Sequence, residues 1–276
     1  MIHIDKHWLS PNNKVSHINC PKNGQRFVQG QPDTIIIHYT AGKDAKSSAK
    51  YLSKDNVKAS AHVVVARDGS IIQLVPFDTI AWHAGKSEYN GRVGYNKFSI
   101  GIEIDNAGIL TPSGDEFVSW FGKKYLANDV IKAKHRNEHI EKYWHTYTED
   151  QIEMIKNLCE ALIDKYPSII NILGHEEIAP GRKSDPGPAF PLDNLRNRLI
   201  QDRDSEAAIH SDTIGYVDVS KLNIRGLPDI NSQTVTEPLI ENTPVKIIDK
   251  YKAWYKVKIE TEGWVASEYI ALGKKN

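Results

Sequence analysis

The sequence predicts an α/β domain, a mixed central sheet flanked by helices, followed by a small all-β domain. Three observations carry this. Short β-branched runs alternate with helix signals up to about residue 203. A well-capped amphipathic helix falls near residues 148–166. From Thr213 onward the helix signal stops and short strands with turns replace it.

The elements follow in order. Thr34-Ile35-Ile36-Ile37-His38-Tyr39 is bounded by Pro32 and by Ala41-Gly42 and reads as a buried strand. Residues 62–66 and 71–75 flank Arg67-Asp68-Gly69-Ser70. Asp-Gly supplies the positive φ of a tight turn, so this is a β-hairpin. Residues 98–104 form a further strand. Thr148 with Gln151 makes a capping box, Ile152, Ile155, Cys159 and Leu162 share one helical face, and Pro167 ends the helix. Residues 169–173 are another candidate strand. The first domain is assigned to residues 1–205, including an N-terminal extension. The short polar and small residues from Asp202 to Ala208 read as a linker, bounded as 206–212. Candidate strands at 217–219, 222–225, 244–248, 254–259 and 263–265 make 213–276 a small β-barrel.

Composition excludes some functions. Lys plus Arg and Asp plus Glu both total 35, so balanced charge offers no electrostatic case for nucleic acid. No run approaches the ~20 apolar residues that cross a membrane. The opening residues Met1 to Trp8 lack an apolar signal core, so a secretory signal peptide is not expected in this chain as given. Cys20 and Cys159 are too few for a disulfide framework or a cysteine metal cluster. Cys159 reads as a buried thiol on its helix, and a bridge between the two stays open.

Chemistry concentrates in three segments. In Ile37-His38-Tyr39-Thr40-Ala41-Gly42 a histidine closes a buried strand. Gly101-Ile102-Glu103-Ile104-Asp105 places acids at the end of another. The run from Gly174-His175-Glu176 to Lys183-Ser184-Asp185-Pro186-Gly187 crowds His, acids, Lys, Arg, Pro and Gly into a loop after a strand. Loops of that composition are sites more often than scaffold. Two neutral imidazoles and one carboxylate form a catalytic zinc set that leaves the fourth tetrahedral position to water. Such a set leaves net charge on the ion and makes that water acidic near neutral pH.

These segments, with Ser60-Ala61-His62, Arg67-Asp68-Gly69, Ala81-Trp82-His83-Ala84-Gly85 and Ser99-Ile100-Gly101-Ile102-Glu103, resemble the type 2 N-acetylmuramoyl-L-alanine amidases in motif order. That family also holds phage amidases and animal peptidoglycan recognition proteins. The likeness runs from about residue 30 to 195. It implies zinc as cofactor, with His38, His175 and Asp185 as ligands, and peptidoglycan or muropeptides as partners. It implies Glu103 as the acid that orients or deprotonates the attacking water, and Lys183 as the cation at the developing oxyanion. It sets Trp82, His83 and Arg92 beside the substrate groove, and His62, also a substrate-binding candidate, either supports the site or merely starts a strand. It favours a periplasmic, wall or extracellular setting.

The implied activity is hydrolysis of the amide between the lactyl group of N-acetylmuramic acid and L-alanine. Two alternatives stay open: a metal-free peptidoglycan-binding protein on the same fold, and a zinc peptidase acting within the stem. Binding-only relatives typically lack a ligand, whereas here all three positions and both auxiliary ones are filled. Beyond residue 213, Leu222-Asn223-Ile224-Arg225-Gly226-Leu227-Pro228 and Gly263-Trp264-Val265-Ala266-Ser267-Glu268-Tyr269-Ile270 resemble bacterial SH3-like domains, which implies a wall tether.

Overall fold

The structure is a computed structural model, and it describes residues 2–201, 213–228, 230, 232–251, 254–259 and 262–272. The linker read at 206–212 lies outside the described residues. The chain divides into two compact units, Met1–Phe190 and Pro191–Asn276.

The first unit is built on a six-stranded sheet. Its spatial order is Asn171–Gly174, Thr34–Tyr39, Ser99–Ile104, Val63–Val65, Ile71–Gln73 and Val15–His17. All neighbours are parallel except the Val63–Val65 and Ile71–Gln73 pair, the hairpin at Asp68-Gly69. The sheet is therefore mixed, as its sequence pattern predicts. Strands covered on both faces need apolar side chains on both, and Ile35, Ile36 and Ile37 are wholly buried. Each contributes roughly 1.5–3 kcal/mol on burial.

On one face, Ala45 and Ala49 of the helix Ala45–Leu52 pack with Val64, Leu74, Val75 and Cys20. The long helix Glu149–Lys165 carries the predicted Thr148–Gln151 capping box and also packs on the Val63–Val65 strand. Cys159 is buried on it, and Cys20 and Cys159 are both free. On that same face, which Val64 shares with its in-register neighbour Glu103, Ile36 and Leu173 meet Ala84, Tyr95 and Ile178, and this face carries the site.

One element is absent from the sequence reading. Residues between Ile109 and His145 form a separate five-stranded antiparallel sheet, ordered Lys124–Tyr125, Glu116–Val118, Ile109–Ser113, Glu141–His145, Val130–Lys134. Its strands are short and polar, with mostly half-buried or exposed residues, so period-2 patterning is faint. Trp144 is its buried anchor, and its indole N–H donates to the Ala133 carbonyl oxygen at 3.0 Å.

The second unit begins with the short helix Leu192–Arg196. Its core is an antiparallel sheet ordered Glu262–Ala266, Trp254–Lys258, Pro244–Tyr251, Ile214–Val217, Ile270–Leu272. Val217, Leu222, Ile224, Val245, Ile247, Val257 and Val265 are buried in it.

Candidate active site

Parallel pairing sets the site's geometry. His38 pairs with Glu103 in register across adjacent strands, so both side chains leave the same face of the sheet. Ile37 pairs with Gly174 on the opposite neighbour, and His175 follows at once as the first residue of the short helix His175–Ile178. The loop after that helix returns Asp185.

These three residues converge. His38 Nδ1, His175 Nδ1 and Asp185 Oδ2 form a triangle with all three edges 2.9 Å. All three side chains are buried. Among the described residues this trio is a His/Cys/Asp/Glu group with ligand atoms close enough to share one ion.

The surrounding hydrogen bonds decide which imidazole nitrogens carry protons. The Ser99 hydroxyl donates to the Tyr95 carbonyl oxygen at 2.6 Å. The Ser99 carbonyl oxygen, 3.2 Å from His83 Nε2, can only accept. His83 Nε2 therefore bears the proton, and His83 Nδ1 is an acceptor. His38 Nε2 lies 2.9 Å from that Nδ1 and must donate to it. His38 Nδ1 is left with a lone pair. Likewise His175 Nε2 donates to the Ala84 carbonyl oxygen at 3.1 Å and frees its own Nδ1.

Electrostatics agree with that assignment. Burial lowers the His38 pKa to about 4, helped by repulsion from His175 and opposed by Asp185. The ring is neutral near pH 7. Two imidazole lone pairs and a carboxylate oxygen 2.9 Å apart repel one another unless a cation stands among them. A point roughly 2 Å from all three exists, the length of a Zn–N or Zn–O bond. The donor set fits zinc.

Glu103 is pushed up to about 8 by burial, reinforced by Asp185 and opposed by Lys183. A cation held by the three ligands acts in the same direction as Lys183. Lys183 is exposed on the loop, and its backbone N–H donates to the Ala179 carbonyl oxygen at 3.0 Å.

Two features hold this arrangement. Gly101 sits two residues before Glu103 on the same face, and a Cβ there would lie 2.6 Å from His83 Nδ1. Only glycine lets the His83 ring lie against the strand and reach His38. Gly101→Ala is expected to displace His83 and weaken metal affinity by about 10–100-fold, the usual scale for a lost supporting hydrogen bond. Metal titration against a competing chelator checks this, and unchanged affinity would dissociate His83 from the ligand set.

Glu176 is the second feature. This buried carboxylate accepts from His135 Nε2 at 2.6 Å and from the Gly187 N–H at 3.1 Å, and pairs with Arg136 Nε at 3.0 Å. The Glu176 N–H in turn donates to the Asp185 carbonyl oxygen at 2.8 Å. The separate five-stranded sheet thus grips the loop that carries a ligand. Sequence reasoning misses this clamp, because His135 and Arg136 lie about 40 residues before Glu176 in a segment with faint patterning. The only local signal is an acid directly after His175.

The remaining expected residues are distributed unevenly. Trp82 is 40% exposed. His83, expected beside the substrate groove, is buried, and so is His62. His62 accepts from the Gly101 N–H at 2.9 Å and donates to the Thr79 carbonyl oxygen at 2.9 Å, so both nitrogens are committed to protein. The sequence reading also sets Arg92 at the groove. Its guanidinium instead pairs with Asp33 at 2.6 and 2.9 Å and stacks over Tyr95 and Phe98. That anchors it at the far end of the His38 strand, roughly 13 Å away along an extended backbone. Arg182, unflagged by sequence, donates to the Ala84 and Lys86 carbonyl oxygens at 2.9 and 2.6 Å and ties the loop of Lys183 to the Trp82–Gly85 loop.

Fold and site together define a class: a mixed α/β protein whose two imidazole nitrogens and one carboxylate are close enough to share a single cation. Within that class the chain belongs to the type 2 N-acetylmuramoyl-L-alanine amidase family, which its residues 28–188 match. It is 34% identical over 213 residues to the 1,6-anhydro-N-acetylmuramyl-L-alanine amidase AmpD of Escherichia coli, a match spanning 70% of this chain and 94% of that one. It is 33% identical over 176 residues to the N-acetylmuramoyl-L-alanine amidase AmiD of the same organism, covering 60% of this chain and 52% of AmiD. Its fold matches a crystal structure of a selenomethionine AmpD derivative with TM-score 0.51 and 28% identity, over 72% of this chain and 99% of that one.

Proposed function

We propose that this chain is a zinc-dependent hydrolase of the amide joining the lactyl group of N-acetylmuramic acid to L-alanine. The observation that supports it most is the convergence of His38, His175 and Asp185 beside Glu103, in a chain of this family. His38, His175 and Asp185 would hold the metal. Bound there, zinc supplies Lewis acidity that polarises a carbonyl and makes a water acidic near neutral pH.

The chain's own residues supply the rest. Glu103 takes a proton from the attacking water and delivers it to the leaving nitrogen. The water oxygen joins the lactyl carbonyl carbon, the C–N bond breaks, and L-alanine leaves with a free amino group. The Lys183 ammonium stabilises the oxyanion that grows on the carbonyl oxygen. His83 holds His38 in the tautomer that binds metal. Trp82 offers a partly exposed aromatic face to the substrate.

Residues 213–276 are proposed to form an SH3-like barrel that tethers the enzyme to polymeric wall. A weak second contact raises the local concentration of the catalytic unit without changing its chemistry.

Zinc-loaded protein is expected to release from soluble muropeptides an intact stem that begins with free L-alanine, identified by mass. Cleavage inside the stem would favour the peptidase, and no product at stoichiometric zinc would favour a binding protein. Deleting residues from 213 onward should spare turnover of soluble muropeptides and reduce turnover of intact sacculi. Equal losses on both would make the second unit a structural support.

A further inference from the structure

Trp120 lies in the turn that joins the strands Glu116–Val118 and Lys124–Tyr125 of the separate antiparallel sheet and is 77% exposed, yet it is held in place. Its indole N–H donates to the Ala41 carbonyl oxygen at 2.8 Å, three residues after His38. Phe121 meets its ring edge-to-face at 5.6 Å. An exposed tryptophan leaves apolar surface in water, and fixing it costs side-chain freedom. A rigid aromatic face turned to solvent suits a ligand that stacks on it.

The face belongs to a groove of about 600 Å³ lined by Tyr39, Ala41, Ile109, Pro112, Val118 and Trp120, with Thr111 and Ser113 as hydroxyl-bearing residues. The groove opens one residue from the metal ligands: Tyr39 follows His38, and its hydroxyl bonds the Ser184 hydroxyl at 2.7 Å, next to Asp185. No lining residue carries a formal charge. An adjoining cavity of about 250 Å³ has the opposite character and is lined by Lys43, Lys123, Lys124 and Arg67 with two aspartates.

The substrate class divides the same way. The stem peptide carries carboxylates, whereas the sugars of the glycan chain are neutral rings with one apolar face and a rim of hydroxyl and N-acetyl groups. A neutral groove with an aromatic floor and hydroxyls fits the sugar, and it offers the stem's carboxylates no cation. We infer that the Trp120–Tyr39 groove is a saccharide subsite that binds an N-acetylhexosamine of the glycan chain beyond the muramyl unit at the scissile bond. This rests on the amidase reading given above. The Trp120 face stacks on the sugar's C–H face, and the Thr111 and Ser113 hydroxyls bond its polar rim.

The test uses the full-length, zinc-loaded protein and chitotetraose, an uncharged N-acetylglucosamine oligomer with no lactyl amide to cleave. Calorimetric titration should show binding that Trp120→Ala weakens about tenfold or more and Trp120→Phe partly restores. The ratio of kcat/KM on a multi-sugar muropeptide to that on a single muramyl peptide should fall about tenfold in Trp120→Ala. A melting curve confirms the variant is folded, as expected for an exposed side chain. Equal chitotetraose affinity in wild type and Trp120→Ala, or displacement by a sugar-free stem tripeptide, would overturn the subsite. If muropeptides are cleaved but chitotetraose does not bind, this inference alone fails. If Trp120-dependent binding persists while no muropeptide is cleaved, the amidase reading fails and the subsite stands.

Discussion

Asp185→Ala is expected to leave the protein without stoichiometric zinc and to lower muropeptide turnover by on the order of 10³-fold or more, the scale for removing a core catalytic element. Asp185 Oδ2 is 2.9 Å from both ligand nitrogens and supplies the negative charge of the ligand set. Without it, two neutral imidazoles remain, and they repel a third ligand less but hold a dication far more weakly. Asp185→Asn separates charge from shape. It keeps an oxygen in place, so a weak, measurable zinc affinity is expected, between that of wild type and alanine. Metal analysis after dialysis, paired with turnover, reads both. Stoichiometric zinc in Asp185→Ala would show that the ion sits elsewhere.

Glu103→Gln is expected to keep zinc and lose on the order of 10²-fold in kcat/KM, the usual contribution of a positioned proton carrier. Glutamine preserves size and polarity but cannot accept the water's proton. The pH dependence gives a second readout. Burial raises this carboxyl, so its basic form grows as pH rises, and wild-type kcat/KM should climb along that limb. The glutamine variant should lack the limb. Stability of the metal-free protein follows the linkage sign for a raised group: it is fullest below the ordinary glutamate value of 4.5 and is lost as pH rises through about 8. Melting temperatures of metal-free wild type should therefore fall relative to Glu103→Gln across that window. A flat difference would mean that Glu103 is well solvated, and near-normal turnover with full zinc would remove it from the mechanism. Lys183→Ala is expected to behave like Glu103→Gln in retaining zinc, because its ammonium is exposed and outside the ligand triangle.

Local signals carried the sequence reading where a few neighbouring residues decide the outcome. The Thr148–Gln151 cap and the Asp68-Gly69 turn need no distant partner, the apolar run at Thr34–Tyr39 marks its own burial, and each appears where expected. The strand read at 169–173 begins later, at Asn171, because Ile169 closes a turn onto the Tyr166 carbonyl oxygen before the pairing starts. The sheet between Ile109 and His145 escaped because half-exposed strands carry little period-2 contrast. Patterning records burial, and these strands bury little.

Residue chemistry and motif order were enough, by sequence alone, to determine the mixed α/β class, the family resemblance, and His38, His175, Asp185, Glu103 and Lys183 as the candidate machinery. Tertiary structure alone decided what each supporting residue does. His83 and His62 turn inward rather than towards substrate, Arg92 is spent on Asp33, and Glu176 is gripped by His135 and Arg136. The reason is that a ligand's identity is written in its side chain, whereas a tautomer, a buried partner or a close glycine contact depends on atoms from strands and loops far apart in sequence. The chain Ser99–His83–His38 spans three such segments, and only their packing shows that the proton lies on the outer nitrogen and the lone pair on the inner one.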